Sequence, residues 1–324
     1  LIIIIKRRLI IVINGGKMKK LFNISLGIIF LFFSLLSLNT AFALSVVFSE
    51  DRPDLRTLDP RITQSRHEEM IIVQMFDQLI SADSNGNLYP GLAKSWDVSS
   101  DGLHYTFNLR DDVTFHDGTK FDAAAVKATF DSIVDPETGS QGAVDILGPY
   151  ASSDVVDEYT VRVNFSRRYG SALSAFTETE LSIVSPTALD SLGNDGFGMS
   201  PVGTGPFMFT NWEANKKVEM VKNPDYNWAP EYMDGSGPSK VDTLTYRLIK
   251  DTSTRVAALE SGEVDIAELV PPLDMKRFDG SGKLSTIVGT VSGLPYSAFL
   301  NTTTGHFQDI KVRQAFFYSL NRVK

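Results

Sequence analysis

Cysteine is absent from all 324 residues. Its absence excludes disulfides, zinc–thiolate sites, iron–sulfur clusters and cysteine nucleophiles together, and it removes the residue that a lipid anchor would require. Histidine is scarce, with four in the chain. His67 opens the run His-Glu-Glu-Met-Ile, which begins like a zinc-protease helix, but Ile71 stands where the second histidine is needed. That pattern therefore binds no metal. His104, His116 and His306 are scattered, and His116, beside the Asp117-Gly118 turn, reads as structural. No Gly-x-Ser-x-Gly elbow marks a serine hydrolase. The many carboxylates cannot be paired from sequence into a glycosidase acid–base couple. No catalytic, cofactor or metal motif is legible, and the chain is read as a non-enzyme.

Acid is missing from residues 1–43, which carry Lys6, Arg7, Arg8, Lys17, Lys19 and Lys20. Beyond them, 25 of the 31 basic residues face all 39 acidic ones, a net −14. An acidic body excludes nucleic acid as the expected partner, because phosphate backbones need a basic stripe. Residues 18–43 read as a secretory signal peptide: Met18-Lys19-Lys20 as the basic start, Leu21 to Leu38 as the apolar stretch, Ala41-Phe42-Ala43 as the cleavage site. A mature protein would begin at Leu44, and residues 1–17 read as translated leader. An export signal without a lipobox cysteine implies a free protein, expected in the periplasm and expected to be monomeric.

Glycine and proline cluster in "SPVGTGPFMFTNW", residues 200–212. A dinucleotide loop needs a third glycine where Met208 stands, and a Walker loop needs Gly-Lys-Ser/Thr. Pro206 also lacks the N–H that anion binding would use. The loop reads instead as a tight backbone crossing into a strand over Phe207–Trp212.

Elsewhere helical and strand periods alternate, which makes the chain α/β. Ser65 and Glu68 have the spacing of a capping box, ahead of a helix expected to bury Ile72, Met75, Phe76 and Leu79. Leu103, Tyr105, Phe107 and Leu109 alternate as one strand face, and Val113 and Phe115 are expected to begin a second strand before Asp117-Gly118. Asp122 caps a helix with Val126, Phe130 and Ile133 inward. Further strands are expected at 160–165, "KKVEMVKN", "VDTLTYRLI" and "EVDIAEL". A helix is expected from Asp251 to Gly262, and another behind Asp309 with Val312, Ala315, Phe316 and Leu320 on one face.

These segments resemble, in order, the extracytoplasmic solute-binding proteins of the peptide/nickel class (family 5) that serve ABC importers. The resemblance rests on "TLDPRITQSRHEEMIIVQMFDQLI", "LYPGLAKSWDVSSDGLHYTFNLRDDVTFHDGTKFDAAAVKATFDSI", the Gly-Thr-Gly segment, "VDTLTYRLIKDTSTRVAALESGEVDIAEL" and "LNTTTGHFQDIKVRQAFFYSLNRVK". It implies a two-lobed periplasmic-binding-protein-like fold with mixed sheets. Residues 44–290 would form the first lobe and 291–324 the crossover and start of a second lobe that is largely missing. It also implies no cofactor, and capture of a peptide or other small solute for delivery to ABC transporter permease subunits. Nickel chelates, opines and oligosaccharides are alternative solutes; a nonfunctional truncated product and a secreted hydrolase are the competing readings. Ligand contacts are carried over to Gln64, Ser65, Arg66 and His67 after the Leu-Asp-Pro turn; Ser65 reads as a helix cap ahead of a ligand contact, and Arg66 equally as a carboxylate contact or a solvated helix-start arginine. Tyr150, closing the segment 141–150, Thr177 and Glu178 in the stretch to Glu180, and the loop Gly203, Thr204, Gly205 complete the set.

Overall fold

The computed structural model describes residues 2–6, 43–52, 54–233, 235, 237–279, 282, 284–288 and 299–320. The leader and signal-peptide expectations for 1–43 lie outside these residues, apart from Ala43 and a short strand β1, Ile2–Lys6. The chain divides into two compact units, Ile2–Ile287 and Val288–Lys324.

In the larger unit, alternation builds one antiparallel sheet. Strand β6 (His104–Leu109) turns Tyr105, Phe107 and Leu109 inward. It pairs with β5 (Ala93–Val98) on one side and β8 (Thr160–Phe165) on the other, and β7 (Tyr150–Asp157) closes the order β5-β6-β8-β7. Helix α2 (Ala123–Val134) packs across β7 and β8 and buries Val126, Phe130 and Ile133 completely. Its cap is the expected one: Asp122 accepts the Ala125 N–H at 3.0 Å. Phe176 stands edge-on to Phe107, ring centroids 5.0 Å apart, in the middle of this core.

A strand at Val113 and Phe115 does not form. Both side chains are buried, but the backbone makes one isolated bridge, Thr114 to Lys120, around Gly118 at φ +79°. The cause lies far along the chain: the His116 N–H donates to the Gly203 carbonyl at 2.9 Å instead of to a ladder.

The second sheet is mixed, with seven strands in the order β13-β1-β12-β2-β11-β10-β9. Here β2 is Ser45–Glu50, β9 Phe207–Glu213, β10 Lys217–Lys222, β11 Thr243–Leu248, β12 Ile266–Glu268 and β13 Leu284–Val288. Both β11 and β12 run parallel to β2, one on each side of it, while β9 and β10 form an antiparallel hairpin. Parallel strands of one sheet require crossover connections, and helix α6 (Thr252–Ser261) supplies the one that carries the chain from β11 past β2 to β12. Asp251 caps α6 through the Thr254 N–H, and Gly262 ends it at φ +79°, both as expected.

Behind the second sheet, helix α5 (Pro186–Met199) contributes Phe197 to a core containing Leu58, Phe76, Val218 and Met220. The smaller unit contains helix α8 (Ile310–Ser319), with Asp309 accepting the Lys311 N–H at 2.8 Å. The apolar face expected of this helix buries none of its residues. Phe316 instead meets Phe307 edge-on, centroids 5.6 Å apart.

Candidate functional site

Helix α1 (Arg66–Ile72) begins where the chain leaves the Leu58-Asp59-Pro60 turn. That turn is held rigidly. Arg61, fully buried, donates to Asp59 at 3.1 and 2.6 Å and also to Ser132 and Asn194, and the Leu58 N–H donates to Gly198. The expected capping box is not used. Ser65 occupies the cap position without a side-chain bond. Glu68, 1% exposed, reaches out of the helix to accept the Arg56 N–H at 2.6 Å and the Thr63 hydroxyl at 2.7 Å. Upstream chain thus offers Glu68 donors that compete with its own helix.

The helix is also shorter than its apolar period suggests. Met75, Phe76 and Leu79 are buried, but they follow the helix rather than belong to it. The Gly-Thr-Gly loop causes the ending: Phe207 N–H donates to the Gln74 carbonyl and Gly205 N–H to the Met75 carbonyl, each at 2.9 Å. A Cβ on Gly205 would lie 2.5 Å from the Met75 carbonyl carbon and 2.6 Å from the Phe76 nitrogen. On Gly203 it would overlap the Met75 oxygen and the Phe76 ring. Glycine is required by proximity. The loop is a crossing, as its sequence suggests, and His116 braces it with a ring nitrogen 2.9 Å from the Gly205 carbonyl. Burial pushes the His116 pKa down to about 4, so the ring is neutral, although the Gly205 bond and the Asp117 charge oppose the drop.

As a ligand contact, Thr204 must be corrected. It is fully buried, and its hydroxyl donates to Asp77 at 2.9 Å. Asp77 also accepts from the Trp228 ring N–H at 2.9 Å and the Tyr226 hydroxyl at 3.2 Å. Burial raises the Asp77 pKa, and these three donors oppose the rise. Nothing in the local sequence marks Asp77, because its donors come from far along the chain.

The start of α1 presents the remaining residues. Gln64 is exposed and donates to the side chain of Gln141 at 2.9 Å. Both line a cavity of about 530 Å³ with Arg56, Thr57, Asn194 and Met199. Arg66 is exposed and forms no salt bridge among the described residues. It faces acid: burial raises the pKa of Glu69, Arg66 counters that, and Glu178 adds to it. Glu180 rises for the same first reason, burial. The turn Thr179–Leu181 packs against α1, so the Thr177–Glu180 stretch and the helix start share a neighbourhood. Within it Thr177 bonds the Ser174 carbonyl and Glu178 is exposed. Tyr150 does not join them. Its hydroxyl serves Asp131 at 2.7 Å and Ser153 at 2.8 Å, and burial raises its pKa.

His67 leads to residues that sequence reasoning missed. The parallel register pairs Ala267 with Ser49, so one residue further Glu268 lies beside Glu50 at the carboxyl ends of β12 and β2. Glu50 and Glu268 are 0 and 1% exposed. The His67 Nδ1 contacts Glu50 and lies 3.6 Å from Asp51 and 3.9 Å from Glu268. Burial raises both glutamates. For Glu268 the hydrogen bond and charge of Glu50 add to it, pushing its pKa up to about 8. Nearby Arg255, 2% exposed, gives its donors to the carbonyls of Ile249 and Glu268 rather than to a carboxylate. Strand-end carboxylates on separate segments leave no local pattern in a sequence.

Comparison with known proteins places this architecture. Residues 87–324 match the model of the bacterial extracellular solute-binding proteins, family 5 Middle. The chain is 30% identical over 282 residues to the glutathione-binding protein GsiB of Escherichia coli O1:K1 / APEC, covering 87% of this chain and 53% of GsiB. Its fold matches NikZ from Campylobacter jejuni in complex with Ni(L-His), with a TM-score of 0.70, 26% identity, and coverage of 86% and 53%. It also matches DppA from Helicobacter pylori in complex with the peptide STSA, with a TM-score of 0.64, 27% identity, and coverage of 74% and 49%. The chain spans about half the length of the relatives it matches. With the family segment covering most of its length, this chain belongs to the bacterial extracellular solute-binding proteins of family 5.

Proposed function

We propose that this chain is the solute-recognising part of a periplasmic binding protein that captures a peptide-like solute and hands it to the permease of an ABC importer. The supporting observation is the polar neighbourhood at the start of α1, where Gln64 lines a cavity of about 530 Å³ and an exposed Arg66 has no salt-bridge partner among the described residues. A free guanidinium can take a carboxylate with two parallel hydrogen bonds, and extended peptides are held largely through their backbone. Relatives named for glutathione and bound to a peptide support the same solute class. Capture works by stabilising the closed arrangement over the open one, through contacts made only when closed.

The test is a melting-temperature screen of the protein carrying this chain against di- to tetrapeptides, glutathione, Ni(L-His) and mannopinic acid. A rise with peptides, without turnover, is expected, and Arg66→Ala should weaken it by about tenfold or more. A screen in which only the nickel chelate or the opine shifts the transition would remove the peptide reading and keep the fold.

A further inference from the structure

Glu50 and Glu268 are buried carboxylates placed side by side by strand register, and each has one oxygen, Oε2, without a hydrogen-bond partner among the described residues. Two ionised carboxylates buried side by side are unfavourable unless a shared proton or a positive charge offsets them. Among the described residues, the side chain in salt-bridge range that could supply a positive charge is His67, whose Nδ1 also lies near Asp51. A carboxylate or imidazole donor atom from each of Glu50, Asp51, His67 and Glu268 falls within 4.8 Å of the other three. We propose that these four residues form a binding site for one divalent transition-metal ion of the zinc class.

Donor chemistry favours this ion class. Three carboxylates and one imidazole match zinc's usual nitrogen and oxygen ligands, and a single imidazole argues against the all-oxygen shells of calcium and magnesium. Zinc–ligand bonds of about 2.0–2.2 Å put tetrahedral donors about 3.4 Å apart. The His67 Nδ1 separations of 3.6 Å from Asp51 and 3.9 Å from Glu268 already approach that value. Access is also suitable: the side chains of His67 and Asp51 are each 25% exposed, whereas those of Glu50 and Glu268 form the floor. A metal would take the two orphaned oxygens as ligands and relieve the repulsion between neighbouring acids.

The proposal does not depend on which solute the protein carries, so its test uses metal alone. The chelator-treated full chain is titrated calorimetrically with Zn²⁺, and with Co²⁺ while visible absorption is followed. One ion per chain is expected, with the intense visible bands of four-coordinate cobalt. Glu268→Gln and His67→Ala should each weaken binding by on the order of 100-fold, the upper size of effect that outer-shell partners already reach. Should Glu268→Gln fail to fold, Asp51→Asn carries the same test from a more exposed position. Absent heat, a weak six-coordinate cobalt spectrum, or equal binding by the His67 and Asp51 variants would overturn the site. In the last case the ion would be sitting on surface carboxylates.

Discussion

Gly203, Gly205 and His116 act as one device. The glycines let the loop touch the end of α1, and the imidazole holds the Gly205 carbonyl from the other side. Gly203→Ala must push a Cβ into the Met75 carbonyl and the Phe76 ring, so we expect a loss of about 1–3 kcal/mol in urea unfolding. Gly170→Ala, where a Cβ meets nothing within 4 Å, should stay within about 0.5 kcal/mol of the parent. His116 gives the fold a pH dependence of known sign. Its pKa falls from 6.5 to about 4 in the folded protein, so between those values the unfolded chain binds more protons. Stability therefore rises with pH across that window, by at most about 1.4 kcal/mol per unit for one proton, and is lost as pH falls from 6.5 toward 4. Unfolding measured at pH 4.5 and 7 should show the difference, and it should shrink in His116→Gln.

At the scale of elements, caps separate what spacing suggests from what packing selects. Asp122, Asp251 and Asp309 all cap as their positions imply, each accepting an N–H from the first turn of its helix. The Ser65–Glu68 pair has equally good spacing and is not used, because Glu68 finds Arg56 and Thr63. Ser65→Ala should accordingly cost less than about 0.5 kcal/mol, whereas Glu68→Ala should cost about 2–4 kcal/mol by leaving buried donors unmet. Equal losses in the two variants would restore the capping box. Much of the fold was legible at this scale. The alternating runs became β6 and β8, and 243–248 and 266–268 became strands as expected. The failures share one cause. The α1 helix stops early and the strand at Val113 is missing because backbone groups there bond to the Gly-Thr-Gly loop, which lies far along the chain.

For the whole molecule, the mixed sheet positions the chemistry. Two strands parallel to β2, joined by one crossover helix, bring their carboxyl ends together, the end of parallel sheets at which ligands commonly bind. The chain beyond residue 43 is acidic, with 25 basic against 39 acidic residues, which favours cations over polyanions near its surface. Of the candidate contacts, Gln64 reached a cavity, His67 reached the strand-end acids and Thr204 went into the core.

Local physics in the sequence determined the α/β class, three of the caps, the glycine requirement of the crossing loop and the absence of thiol chemistry. Those properties depend on neighbours a few residues away or on composition alone. Only the tertiary structure decided that Glu50 stands beside Glu268, that Asp77 gathers Thr204, Tyr226 and Trp228, and that Glu68 abandons its own helix. Each of these contacts is set by strand register and loop closure between distant segments, which no local spacing encodes.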